Sequence, residues 1–309
     1  MNNILKWLLQ GDVSIQYLTK KYLLKESESD LQILRKRIAV EGWGKRFLDA
    51  RSANGHWGRG FYQPKWISSH YTLLDLRCLE IEPVEPIMET IAMIIEQSKA
   101  PDGSINESKT FQSGDLCVNG MFLNYASFFG FPESELKSIV DYVLENQMPD
   151  GGFNCEGKTK GAKHSSMHTT MSVLEGIWEF VKAGNQYRVD EVDKARKNAE
   201  EFLLMHRLYQ SDKTWEIIDK KWTMLSFPPR WRYDILRALI YFVDAGLPYD
   251  SRMADAIDLL KSKRRKDGTW PVQMKHPGQV HFDMENIGTS SRFNTLRALR
   301  VFKEFELLF

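Results

Sequence analysis

Leu136-Lys137-Ser138-Ile139-Val140-Asp141-Tyr142-Val143-Leu144, followed by Pro149-Asp150-Gly151-Gly152-Phe153 and then His168-Thr169-Thr170, is the stretch that decides the fold. Its apolar residues at 136, 139, 140, 143 and 144 follow the i, i+3, i+4 spacing of a half-buried helix. The Asp-Gly pair then stops that helix, because glycine tolerates positive φ and the following aromatic residue tucks back onto the helix end. A second, more apolar helix is predicted over 169–181, closed by Gly184-Asn185. The unit is therefore two helices joined through an Asp-Gly-aromatic turn.

Outward from this unit, the chain repeats it. The turn recurs as Ala53-Asn54-Gly55-His56-Trp57, Pro101-Asp102-Gly103-Ser104-Ile105, Ser211-Asp212-Lys213-Thr214-Trp215 and Lys266-Asp267-Gly268-Thr269-Trp270. Gly55, Gly103, Gly151, Lys213 and Gly268 hold equivalent slots, 48, 48, 62 and 55 residues apart. Such a period marks an array of supersecondary units. Mixed helices precede the turns (Ile87-Ile91-Ile94-Ile95; Ala254-Ile257-Leu260), and apolar helices are predicted after them over 71–79, 117–129, 169–181, 233–245 and 293–302. A sixth pair is read at the start, over 5–10 and 15–24, with Ser14 as a cap. An open solenoid would need a polar terminal cap. The last apolar helix is as apolar as the middle ones, which favours closure. The expectation is an all-α fold, an (α/α)6 toroid forming one domain over 1–309, in which 1–26 is a helical hairpin that starts or caps the ring.

Composition narrows the function. Forty-two Lys+Arg against 41 Asp+Glu leave a net charge of +1, which argues against a broad footprint for nucleic acid or an anionic membrane. With 42% hydrophobic and 27% charged residues, the chain reads as globular. Cys78, Cys117 and Cys155 are odd in number and far apart, so no disulfide framework is expected. Neither a signal peptide nor an 18-residue apolar run is found, and a cytoplasmic location is expected.

Polar and aromatic residues recur at the starts of the apolar helices. Asp115, Cys117 and His168 form the sharpest set: one carboxylate, one thiol and one imidazole on neighbouring repeats, with Gly114 allowing a bend. Three protein ligands and an open position describe catalytic zinc. The plainer reading makes Asp115 an N-cap, Cys117 a small core residue and His168 a hydrogen-bonded core histidine. Lys109, Lys160 and Lys163, with Lys158, could cradle a diphosphate or belong to a solvated loop. His70 is a candidate base or fourth ligand, or a capping partner of Ser68 or Ser69. Arg230 and Asp234 are candidate catalytic groups, or a structural pair involving Arg237. Trp57, Phe153, Trp215 and Trp270 read as staples of the repeat.

These turns resemble the repeats of the terpene cyclase and protein prenyltransferase superfamily. The segment Asp102-Gly103-Ser104-Ile105 with Gly114-Asp115-Leu116-Cys117 resembles the Asp-x-Cys zinc segment of prenyltransferase β subunits. Gly151-Gly152-Phe153, His168-Thr169-Thr170 and Leu174-Glu175-Gly176-Ile177 resemble the segment carrying that family's zinc histidine. The resemblance implies Asp115, Cys117 and His168 as ligands of Zn2+, which activates an acceptor thiol for attack on a prenyl diphosphate. Trp7-Leu8-Leu9-Gln10-Gly11-Asp12, Pro64 to Tyr71, Pro229-Arg230-Trp231 and Arg292 to Arg297 look closer still to bacterial squalene-cyclase-like and prenyltransferase-like toroids. The Asp-x-Asp-Asp acid of class II cyclases is missing, there is room for one toroid, and nothing supplies a second subunit. The resulting expectation is a zinc-dependent transferase acting on an isoprenoid diphosphate. The alternatives are a non-catalytic isoprenoid- or peptide-binding toroid, or a cyclase-like enzyme with a different acid.

Overall fold

Four of the five turns end a helix as their glycines predict. Gly55, Gly103, Gly151 and Gly268 hold φ values of +82°, +85°, +90° and +85° in the computed structural model, which describes residues 3–108, 112–157 and 161–307. In sequence order the helices are α1 (Asn3–Leu9), α2 (Val13–Leu18), α3 (Glu28–Arg37), α4 (Gly42–Asp49), α5 (Ser69–Cys78), α6 (Glu85–Ser98) and α7 (Leu116–Phe128). They continue as α8 (Glu133–Leu144), α9 (Met167–Lys182), α10 (Val189–Met205), α11 (Ile235–Asp244), α12 (Ala254–Ser262) and α13 (Arg292–Glu304). The chain divides into two compact units. One holds the residues up to Ala50, Cys78–Glu82 and the chain from His206 onward; the other holds Arg51–Arg77 and Pro83–Met205.

In the second unit the apolar helices are buried all round and the mixed ones along a stripe. On α7 every residue from Val118 to Ser127 is buried, whereas α8 buries Leu136, Ile139, Val140, Tyr142 and Val143. Burying a Leu or Ile side chain contributes about 1.5–3 kcal/mol, so each stripe is enough to dock its helix. Helices α7 and α9 pack closely because glycines face each other. A Cβ on Gly176 would lie 2.3 Å from the Gly120 carbonyl oxygen, and one on Gly120 would lie 2.6 Å from Val173 Cα. Gly114 has a similar cause: a Cβ there would meet the Ile105 oxygen at 2.0 Å, so close approach, not a bend, requires glycine.

One bond recurs at four turns. The backbone N–H of the residue that tucks back is accepted by a polar side chain on the following apolar helix. Trp57 donates to Ser69 Oγ (3.1 Å), Ile105 to Asn119 Oδ1 (2.7 Å), Phe153 to Thr170 Oγ1 (2.9 Å) and Trp270 to Thr295 Oγ1 (2.9 Å). All four donors belong to fully buried residues, so each bond satisfies a group that water cannot reach.

The first unit departs from expectation at three points. The cap of α2 is Asp12, which accepts the Ser14 N–H at 2.9 Å, and the helix ends in a π-type turn over Thr19–Leu24. Two short strands, β1 (Trp270–Pro271) and β2 (Ser290–Ser291), pair antiparallel, so the fold is mostly helical and not purely so. At the fifth turn Trp215 takes φ +60°, and Gln210 bridges to Ile217. The turn is longer there, so Trp215 stays 47% exposed and is not a staple, unlike the buried Trp57, Phe153 and Trp270. Among the described residues no helix is long and apolar enough to cross a membrane.

Candidate functional site

The N-terminus of α7 gathers the chemistry of the second unit. Asp115 is the N-cap residue, but its side chain makes no capping bond. Its backbone N–H instead donates to both carboxylate oxygens of Glu107, at 3.1 and 3.3 Å. The two carboxyl groups are near enough for each to act on the ionisation of the other. Burial pushes the Glu107 carboxyl up to about 7, and the Asp115 charge adds to this against the pull of two backbone N–H groups.

In the first turn of α7, the Cys117 N–H donates to Cys155 Sγ at 3.2 Å. Cys155 Sγ also lies 3.4 Å from Thr169 Oγ1, near the start of α9. The Cys117 thiol, the Thr169 hydroxyl and the Cys117 N–H draw the Cys155 thiol down from its ordinary range, against burial. Its hydrogen bond to Cys155, with burial, drives the Cys117 thiol well up.

A cleft of about 1260 Å³ opens beside the acids, with Arg59, Phe61, Tyr62, Gln97, Lys99 and Glu107 in its wall. Tyr62 Oη sits 3.2 Å from Tyr71 Oη, and burial raises its phenol against the pull of that hydrogen bond.

Asp115 and Cys117 do share this helix start. His168 is the second residue of α9, and its carbonyl accepts the Ser172 hydroxyl at 3.0 Å. Among the described residues no group of three or more His, Cys, Asp or Glu side chains could hold a metal ion. Lys163 is exposed, and Lys109, Lys158 and Lys160 lie outside the described residues. His70 is fully buried on α5, with Nδ1 3.3 Å from Tyr125 Oη and Phe61, Tyr62, Tyr71 and Tyr125 around its ring. Burial and the Lys65 charge lower it to about 3, which leaves a neutral, weakly basic imidazole.

In the first unit Asp234 is buried as the N-cap of α11, accepting the N–H groups of Arg237 (2.9 Å) and Ser226 (3.0 Å). Arg230, buried with φ +50°, lines a small cavity with Phe47, Lys275 and His276.

Glu107 and Cys155 were not singled out in the sequence, although a signal existed. Each stands four residues after a turn glycine, Gly103 and Gly151, and Arg59 stands likewise after Gly55. That register places all three at the start of a loop leading to an apolar helix.

No protein-family model matches the chain, and no curated protein matches it in sequence. Its fold does match solved structures. A possible member of the GH105 family from Salmonella enterica serovar Paratyphi A superposes with a TM-score of 0.52 at 12% identity, covering 95% of this chain and 81% of that one. A glycosyl hydrolase of family 88 from Bacteroides vulgatus gives 0.51 at 13%, covering 94% and 89%. A type II terpene cyclase, MstE from Scytonema, gives 0.37 at 12%, covering 89% and 98%. The first two establish an α/α toroid class of fold for this chain.

Proposed function

We propose that the chain is a glycan-acting enzyme on a ring of six helix pairs, with Glu107 as the proton donor of a carboxyl–carboxylate pair. The observation that carries this is the contact between Glu107 and Asp115 at the wall of the large cleft. Two carboxyls in contact resist joint ionisation, so one keeps its proton near neutral pH. An acid titrating near the working pH donates efficiently to a leaving oxygen. Arg59, Gln97, Lys99 and Asn106 offer hydrogen bonds to hydroxyl or carboxylate groups, and Phe61 and Tyr62 offer ring faces. That mixture suits a sugar better than an isoprenoid chain, which needs a continuous apolar wall. One protein of similar fold is itself named a glycosyl hydrolase.

The test incubates the purified chain with a panel of neutral and acidic polysaccharides and reads released reducing ends. Product formation that disappears in Glu107→Gln supports the reading. No product from any substrate, or full activity in that variant, overturns it. Zinc-dependent transfer to an isoprenoid diphosphate competes with this reading, because Asp115 and Cys117 share one helix start. It predicts about one zinc per chain and loss of that zinc in Cys117→Ser.

A further inference from the structure

We infer that Cys155 is a reactive thiol that closes a reversible disulfide with Cys117, a modification site separate from the glycan chemistry. Three observations meet at its sulfur. The Cys117 backbone N–H, in the first turn of α7, points at Cys155 Sγ from 3.2 Å, where the helix N-terminus favours negative charge. The Thr169 hydroxyl lies 3.4 Å away, near the start of a second helix. Cys117 itself stands against the same sulfur, and the two thiols are close enough to act on one another, so a second thiol is within reach. Both cysteines are partly exposed, and neither is in a disulfide.

The loop is built to hold Cys155 there. Phe153, two residues earlier, is fully buried and clasped by Thr170. Asn154 Oδ1 accepts the Glu156 N–H at 2.9 Å, and Asn154 Nδ2 donates to the His164 carbonyl at 2.7 Å. Cys155 is thus pinned on both sides while its sulfur faces α7.

The chemistry balances with a hydroperoxide as oxidant. The Cys155 thiolate attacks the peroxide, an S–O bond forms, the O–O bond breaks, and the leaving oxygen departs as water or alcohol after protonation. Cys117 then attacks the sulfenic sulfur, the S–S bond forms, the S–O bond breaks, and hydroxide leaves as water with the Cys117 proton. Two thiols lose two electrons and the peroxide gains them; a dithiol reductant reverses the sequence.

Cys78 is the internal control, because it ends α5, where the helix dipole opposes a thiolate. The experiment treats the full-length protein with limiting hydrogen peroxide and maps alkylation and linked peptides by mass spectrometry. Expected are a linkage of residue 117 to residue 155, its reversal by dithiothreitol, and alkylation of untreated Cys155 about ten-fold faster than Cys78. In Cys117→Ser, a sulfenic acid on Cys155 should be captured by dimedone; in Cys155→Ser, no sulfenic acid should form at position 117. Equal alkylation of Cys155 and Cys78 with no linked peptide overturns the inference, and that measurement needs no variant. Thiols protected by a stoichiometric metal until a chelator is added overturn it as well. Neither result bears on release of sugars by Glu107.

Discussion

The starts of α7 and α13 use the same device to different ends. At α13 the Glu285 carboxylate accepts the N–H groups of Arg292 (2.7 Å) and Phe293 (3.2 Å) and the Ser291 hydroxyl. Ser291 caps the helix in turn, bonding the Asn294 N–H at 2.9 Å. Burial raises the Glu285 carboxyl while these bonds and the Arg292 charge pull it back. At α7 the equivalent acid, Glu107, meets a second acid, Asp115, whose side chain does no capping, and it stands in the wall of a cleft. A loop carboxylate on a helix N-terminus is a structural cap when its neighbours are donors. It becomes a proton store when its neighbour is another acceptor.

The largest expected effect separates these roles. Glu107→Gln should lower kcat/KM on the glycan substrate by roughly 10²–10⁴-fold, the usual contribution of general acid catalysis. Glu285→Gln should leave kcat/KM within about two-fold and lower stability by about 1–3 kcal/mol, as orphaned helix N–H groups dictate. The opposite pattern, read from initial rates and urea unfolding, would reverse the assignment of the two acids.

A pH series sharpens the contrast. The Glu107 carboxyl titrates near 7 when folded, above its ordinary 4.5, so the folded state binds the extra proton between those values. Its contribution to stability is present below the ordinary value and is lost as pH rises through about 7. The loss should be on the order of 1 kcal/mol per pH unit across that window and vanish in Glu107→Gln. Activity should fall above about pH 7 with the same group. Asp115→Asn removes a neighbouring charge that raises Glu107, so the alkaline limb should move to lower pH by about one unit. An unmoved limb would mean that another group sets it.

The smallest effects test what the two helix starts share. Thr170→Val and Thr295→Val each remove the acceptor for one buried turn N–H, of Phe153 and of Trp270. Each should cost about 1–3 kcal/mol by thermal or urea unfolding, and by similar amounts. A much larger cost at one of them would show that the clasps are not equivalent.

These clasps also explain what could be read in the sequence and what could not. The helices over 117–129 and 169–181 were expected within two residues of α7 and α9, because a period of 3.6 and an Asp-Gly stop are local signals. The polar residues at the apolar-helix starts were visible too, but their shared register has a structural cause: Ser69, Asn119, Thr170 and Thr295 hold the turns. Asp234 belongs with them, as a buried cap. The meeting of Cys155 with Cys117 spans 38 positions and a turn, and that of Glu107 with Asp115 depends on the path of the intervening loop; no local period reveals either. Trp215 departs from the expected staple because its turn is lengthened, which composition does not reveal.

The facing glycines of α7 and α9 have one more consequence. With main chain resting on main chain at Gly120 and Gly176, the separation of these two helices is fixed by atomic radii and not by side-chain choice. The loop that carries Glu107 and the loop that carries Cys155 can therefore diversify in sequence while the anchorage beneath them keeps its dimensions.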